Sequence, residues 1–280
     1  MPVRPLVMGI LNVTPDSFSD GGRYVDVDRA VDHGRAVIRQ GAGIVDVGGE
    51  STRPGADPVG IAEEAERVVP VIAALAPHVR VSVDTAKAEV AAAAVAAGAT
   101  LINDVSASLH EVAAEHQVGW VAMHMQGEPR TMQHEPTYDD VVAEVEAYLR
   151  ERAELARVAG VPEIWIDPGI GFGKTHAHNW QLLAGLDRLT AIGFPVAVGT
   201  SRKAFLGAAM GRADGLDAPT PAGDRLEGSV STAVRAAASG VALLRVHDVA
   251  ATVAALDAAG SAPRPSLADG PEERESSRWL

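Results

Sequence analysis

Carboxylates, amides and cations stand where the apolar runs of this chain end. Asp84 closes VRVSVD, Asn103 follows Leu101 and Ile102, and Asp167 closes EIWID. A carboxylate accepts two N–H bonds from a guanidine-like edge, and an asparagine both donates and accepts. A buried carboxylate without a partner is costly. The trio therefore suits a dry, selective pocket for a flat, nitrogen-rich heterocycle. Lys203 is placed to donate to a ring carbonyl or nitrogen. Arg245 and His247 are two residues apart on one strand, so they share a face. Together they can grip phosphate oxygens, the arginine in a bidentate manner. Asn12, at the end of LVMGILN, adds a neutral oxygen of the kind that Mg²⁺ accepts when it bridges phosphate oxygens.

Other polar residues at these ends read as supports. Asp104 and Asp248 follow directly after candidate site residues and face the other way, as helix caps or as partners of a site residue. Asp46 lies inside a strand and is expected to hold neighbouring strand ends. His124 reads as a hydrogen-bonded core group rather than a metal ligand, because no HxH, HExxH or clustered His/Glu pattern accompanies it.

The elements that must position these groups recur in a fixed order. Short β-branched runs alternate with Ala-rich, charge-dotted segments. The runs begin near residues 6, 44, 79, 101, 119, 163, 194 and 241. Helical segments are expected at about 26–42, 62–76, 86–98, 110–117, 138–159, 178–189, 226–238 and 249–259. The runs lack strict alternation, as expected of parallel strands covered on both faces. Eight βα units in this length fit a closed (β/α)8 barrel, the TIM barrel, as a single domain over residues 1–260. A doubly wound sheet is the weaker alternative, since neither GxGxxG nor GxxxxGK[ST] is present and GIGFGK at 169–174 has neither spacing. In a barrel the C-terminal strand ends share one mouth, and the polar residues gather there. The strand starts offer little comparable chemistry.

Bulk properties narrow the partners. The 280 residues carry 37 acidic and 24 basic side chains, a formal charge of -13. Duplex nucleic acid is not expected as a partner, because affinity for it rests on Lys and Arg neutralising phosphates. There is no cysteine, hence no disulfide and no thiolate nucleophile. The longest apolar runs are too short to span a bilayer, and no secretory leader is expected at the N-terminus. A cytoplasmic setting is the expectation. Residues 261–280, polar and rich in Pro and charge, are expected to be a disordered tail.

Eight segments in order resemble one family. They are GILNVTPDSFSDGG at 9–22, DVGGESTRPGA at 46–56, SVDT at 82–85, INDVS at 102–106, MHMQGEPRTMQ at 123–133, DPGIGFGK at 167–174, GTSRKAFLG at 199–207 and RVHDV at 245–249. Over roughly residues 5–259 the chain resembles the bacterial dihydropteroate synthases, the pterin-binding sulfonamide targets of folate synthesis.

The resemblance implies specific roles. Asp84, Asn103, Asp167 and Lys203 would hold the pterin ring, with Met123, Phe172 and Gly199 shaping the slot. Asn12, Arg245 and His247 would handle the diphosphate, with Mg²⁺ beside Asn12. Phe18, Asp20, Thr52, Arg53 and Pro54, from two loops, would help form the place for p-aminobenzoate. Ser201 and Arg202 would sit near that second substrate. The reaction implied is condensation of 6-hydroxymethyl-7,8-dihydropterin diphosphate with p-aminobenzoate, with Asp20, Lys203, Arg245 and His247 as the catalytic set. The family usually forms homodimers, which is the expectation here. A pterin-dependent methyltransferase barrel and a non-catalytic pterin-binding paralogue share the ring pocket and stand as alternatives.

Overall fold

The computed structural model describes residues 4–14, 23–51 and 57–260, with residues 23–26 as backbone only. The strands are β1 Leu6–Asn12, β2 Ile44–Gly48, β3 Arg80–Asp84, β4 Leu101–Asp104, β5 Gly119–Met123, β6 Glu163–Asp167, β7 Ala197–Val198 and β8 Leu243–Val246. All pair in parallel in the order β6-β5-β4-β3-β2-β1-β8-β7, and a parallel bridge from Ile166 to Val196 closes the ring. The result is the expected barrel of a single domain.

Between the strands run α1 Arg23–Arg39, α2 Ile61–Leu75, α3 Ala88–Ala96, α4 His110–Glu115, α5 Val141–Ala159, α6 His176–Ala184, α7 Leu186–Thr190, α8 Ala204–Ala213, α9 Leu226–Ala238 and α10 Val249–Ala258. Local chemistry sets their ends. The Asp140 carboxylate accepts from Val142 N and Ala143 N at the start of α5, and Gly160 ends it in left-handed backbone. Thr175 and His178 form a capping box at the start of α6. α4 has no capping side chain at its own first position, and Asp104 substitutes for one by accepting from Ser108 N and Leu109 N.

Strand alternation divides the apolar residues into two cores. Outward-facing Val7, Val45, Val83, Ile102, Ile166 and Leu244 pack with the helices in the larger one. Inward-facing Met8, Ile44, Leu101, Val121, Trp165, Ala197 and Leu243 fill the lower barrel as a second cluster. Small side chains let the helices come close. A Cβ on outward-facing Gly9 would stand 2.2 Å from Val37 Cγ1 of α1, so only glycine fits there.

Two features of the strands differ from the sequence reading. β7 is only two residues long. Pro195, just before it, has no N–H to give to a ladder, and its carbonyl instead accepts from Ile166 N at 3.1 Å. The strand starts are also less bare than expected. Arg80 makes a two-pronged ion pair with Glu163 across the barrel floor, and Trp165 Nε1 donates to Glu163 at 2.7 Å. Among the described residues no helix is long and apolar enough to cross a membrane.

Candidate active site

Above the inner apolar layer, the same inward parity brings polar groups into the mouth. Along β1 it runs Met8, Ile10, Asn12, and along β2 Ile44, Asp46, Gly48. It places Asp84, Asn103, Met123, Asp167, Gly199, Arg245 and His247 in the barrel interior or at its rim. The register joins them sideways: Asn12 pairs with Gly48, Gly48 with Asp84, and Asp84 with Asn103. His124 has the opposite parity and faces the helices, where its ring meets Tyr148 at 4.9 Å between centroids.

One cluster is centred on Arg245. Its Nε donates to Asp46 Oδ2 at 2.6 Å and its Nη2 to Asp84 Oδ2 at 2.6 Å. Asn103 Nδ2 donates to the same Asp46 oxygen at 3.0 Å. Asp46 is fully buried, and its pull on Arg245 helps hold the guanidinium charged despite burial. Burial pushes the Asp84 carboxyl up to about 7; Arg245 opposes that rise, while the charges of Asp46, Glu64 and Asp104 add to it. Asp84 Oδ1 is buried and has no hydrogen-bond partner. That orphan acceptor is costly unless a ligand N–H meets it.

A second cluster joins Asp167 and Lys203. Asp167 Oδ1 accepts from Gly169 N at 2.7 Å. Burial raises the Asp167 carboxyl above its ordinary value, with Lys203 the strongest opposing charge. Burial lowers Lys203 to about 8, and Asp167 opposes that fall. The Lys203 ammonium donates to Ile170 O and stands 4.7 Å from the centroid of the Phe172 ring. Such a contact between a cation and a ring face is favourable. Arg245 and Asp84 also act on Lys203, so the two clusters form one electrostatic unit.

At the rim, Ser201 Oγ lies 3.0 Å from His247 Nδ1 and accepts from His247 N at 3.2 Å. Arg202 has left-handed backbone at φ 60, and its N–H donates to Ser229 Oγ. Its guanidinium is gripped by Asp248, with bonds of 3.0 and 2.5 Å. Asp248 is thus a partner of a site residue. Asp104 turns outward and organises the turn into α4. Phe18, Asp20, Thr52, Arg53 and Pro54, and the tail at 261–280, lie outside the described residues.

The sequence reading missed how central Asp46 is and did not single out Lys174, a buried cation just after the glycine-rich turn. It also missed Lys87, which pairs with Glu50 and with fully buried Glu64 beside the mouth. A cleft of about 240 Å³ lies there, lined by Glu50, Glu64, Asp84, Thr85 and Arg130 among others. A wider hollow of about 540 Å³, between Glu146, Arg150 and Arg188 on the outer helices, is salt-bridged surface away from the mouth.

Among the described residues no three His, Cys, Asp or Glu are grouped to hold a metal. Beside Asn12 there is room for an ion such as Mg²⁺. A Cβ on Gly48 would stand 3.7 Å from both Asn12 Oδ1 and Asp84 Oδ2, so the glycine leaves the space between those oxygens open. Mg²⁺ keeps several waters and takes substrate phosphates, so a site for it needs few protein ligands.

The family model described as "Pterin binding enzyme" matches residues 8–247. The chain belongs to the pterin-binding enzyme family, among the dihydropteroate synthases. The Escherichia coli dihydropteroate synthase is 46% identical over 261 residues, covering 90% of each chain. The Mycobacterium leprae enzyme is 48% identical over 271 residues, 93% of this chain and 95% of its own. Two solved structures of the Xanthomonas albilineans dihydropteroate synthase superpose over 91% of this chain and 92% of theirs. One, with 4-aminobenzoic acid, gives a TM-score of 0.83 at 50% identity. The other, in complex with 7,8-dihydropteroate, gives 0.80 at 47%. Asn12, Asp84, Asn103, Asp167, Arg245 and His247 all fall within the matched residues 8–247.

Proposed function

We propose that this chain condenses 6-hydroxymethyl-7,8-dihydropterin diphosphate with p-aminobenzoate, giving 7,8-dihydropteroate and diphosphate as a dihydropteroate synthase. One observation carries the reading: two buried carboxylates face one mouth, each with its own cation, Arg245 at Asp84 and Lys203 by Asp167.

The ring is assigned to Asp84, Asn103, Asp167 and Lys203. The orphaned Asp84 Oδ1 accepts a ring N–H, and Lys203 donates to a ring acceptor. Met123, Phe172 and Gly199 bound the slot. Arg245 and His247 take the diphosphate, with Ser201 fixing the imidazole through Nδ1. Asn12 would hold Mg²⁺, which when bound supplies positive charge to the leaving group.

The bond from the pterin methylene to oxygen breaks, and its electron pair leaves with the diphosphate. The p-aminobenzoate nitrogen forms the new bond to that carbon and then loses a proton. The arylamine is mostly neutral near pH 7, so no strong base is required. The demand falls on the leaving group, where Arg245 and His247 offset growing negative charge. Asp20 is assigned as the counter-charge to the cationic methylene. Ser201 and Arg202 line the place of p-aminobenzoate, with Phe18, Thr52, Arg53 and Pro54 contributed by the loops.

A homodimer in the cytoplasm is part of the same proposal, supported by the family resemblance and checked by sedimentation. The reaction itself is tested by following diphosphate release with and without p-aminobenzoate. Release strictly coupled to condensation supports the synthase. Tight pterin binding with no release in either case would leave a binding protein instead.

A further inference from the structure

The segment after β6 carries glycines in left-handed backbone at three alternate positions, Gly169, Gly171 and Gly173, with φ of 63, 86 and 59. It lies tightly on the segment after β5. A Cβ on Gly169 would stand 1.8 Å from His124 O, and one on Gly173 would stand 2.2 Å from Gln126 O. No L side chain fits either position. The two loops are thus pressed together backbone to backbone, and carbonyl groups are buried in the seam.

Lys174 satisfies two of them. Its side chain is only 2% exposed. Nζ donates to Phe172 O at 2.9 Å and to His124 O at 3.3 Å, and lies 2.9 Å from His124 Nδ1. Burial lowers the Lys174 amine to about 7, with Asp167 opposing the fall; in its protonated form it has three donors, and here they meet three acceptors. The acceptor role of His124 Nδ1 requires a neutral ring, and burial with the Lys174 charge lowers that imidazole to about 3. Tyr138 closes the same seam by donating to Gly173 O at 2.8 Å.

The seam carries parts of the pterin slot. Met123 directly precedes His124, and Phe172 lies within the turn that Lys174 pins. Ile170 O, in the same turn, accepts from Lys203. Lys174 also adds attraction for the Asp167 charge. We propose that Lys174 is a positioning residue for pterin recognition, fixing the 169–173 turn against the end of β5 so that Phe172, Ile170 O and Lys203 keep their places. It acts through those groups, and this role rests on the synthase reading above.

The test compares wild type, K174M and K174R in titrations with the fluorescent pterin substrate and in steady-state assays with each substrate varied. In K174M, pterin affinity should fall about tenfold, through buried carbonyls left without donors, while KM for p-aminobenzoate moves less than about twofold. K174R keeps the charge but cannot place one nitrogen among three acceptors, so it should lose about threefold in pterin affinity alone. Should K174M not fold, K174R decides the matter by the same split. Unchanged pterin affinity, or equal losses for both substrates, would overturn the role of Lys174 and leave a stabilising residue only. A wild-type chain that binds no pterin would overturn the synthase reading and this role together.

Discussion

Arg245 Nη2 lies 2.6 Å from Asp84 Oδ2, so the cation assigned to the diphosphate touches the carboxylate assigned to the ring. The leaving-group site and the ring site are therefore not independent. Arg245 is also the charge that most opposes the raised pKa of Asp84. A substrate that draws the guanidinium toward its diphosphate changes what Asp84 presents to the ring.

Arg245→Ala should slow the departure of diphosphate and weaken pterin binding together. Cleavage loses a cation aligned on the leaving group, a defect expected to cost about 10²–10³ in single-turnover rate. Removing the guanidinium also pushes the Asp84 carboxyl further up, so more of it is protonated at neutral pH. Rapid-quench measurement of bond cleavage, set beside calorimetric pterin binding, reads both effects. An unchanged cleavage rate would exclude Arg245 from the leaving-group site.

Pterin affinity should peak in a narrow pH window. Asp84 accepts a ring N–H best when ionised, which it is above about 7. Lys203 donates as an ammonium, which it is below about 8. Affinity should rise as pH climbs through the first value and fall as it passes the second. The same Asp84 shift has the opposite sign for stability. The folded state keeps this proton up to about 7, whereas the unfolded chain loses it near 3.8, so the contribution of the group to stability falls over that interval. Asp84→Asn should abolish the acidic limb of the binding profile and shift the basic limb to lower pH, because the Asp84 charge helps Lys203 keep its proton. Titrations across pH on both proteins make the comparison.

Asp167→Asn removes the charge nearest to Lys203 in effect. The amide cannot accept through both atoms, and it strands one buried contact, so pterin affinity should drop by about 1–3 kcal/mol. Lys203 is already lowered to about 8 with Asp167 supporting its charge. Without that support it should lose its proton at still lower pH, and the basic limb should shift toward neutrality. Calorimetry at two pH values distinguishes this from simple loss of a contact, which would leave the limb unmoved.

What could be read from the sequence was local or periodic. The ends of the apolar runs put Asp84, Asn103, Asp167 and Arg245 at one mouth, and all four do face the barrel interior. The helix expected at about 226–238, after the polar loop, is α9, Leu226–Ala238. Long-range pairing was hidden. Asp46 meets Arg245 across 199 residues of chain, and nothing in IVDVGG announces that contact. Lys174 looks like an ordinary surface lysine after GIGFG, because the seam that buries it exists only once β5 and β6 pair. The missing length of β7 was legible in Pro195, whose ring denies the strand a donor.

Asp104 supplies the last prediction, because it couples stability to the site from outside the barrel. It is fully buried. Its two oxygens accept from Ser106 N, Ser106 Oγ, Ser108 N, Leu109 N and Trp120 Nε1 at 2.5–3.1 Å. These bonds shape the turn after β4, where Ala107 is held in left-handed backbone at φ 51, and they start α4. Asp104→Ala leaves several buried donors unmet and should destabilise the fold by about 3–5 kcal/mol, measured by urea unfolding. The Asp104 charge is also one of the groups that raise the Asp84 carboxyl. In the fraction that folds, the acidic limb of pterin binding should therefore move to lower pH. Loss of stability with an unmoved limb would mean that Asp104 organises the turn without reaching the site.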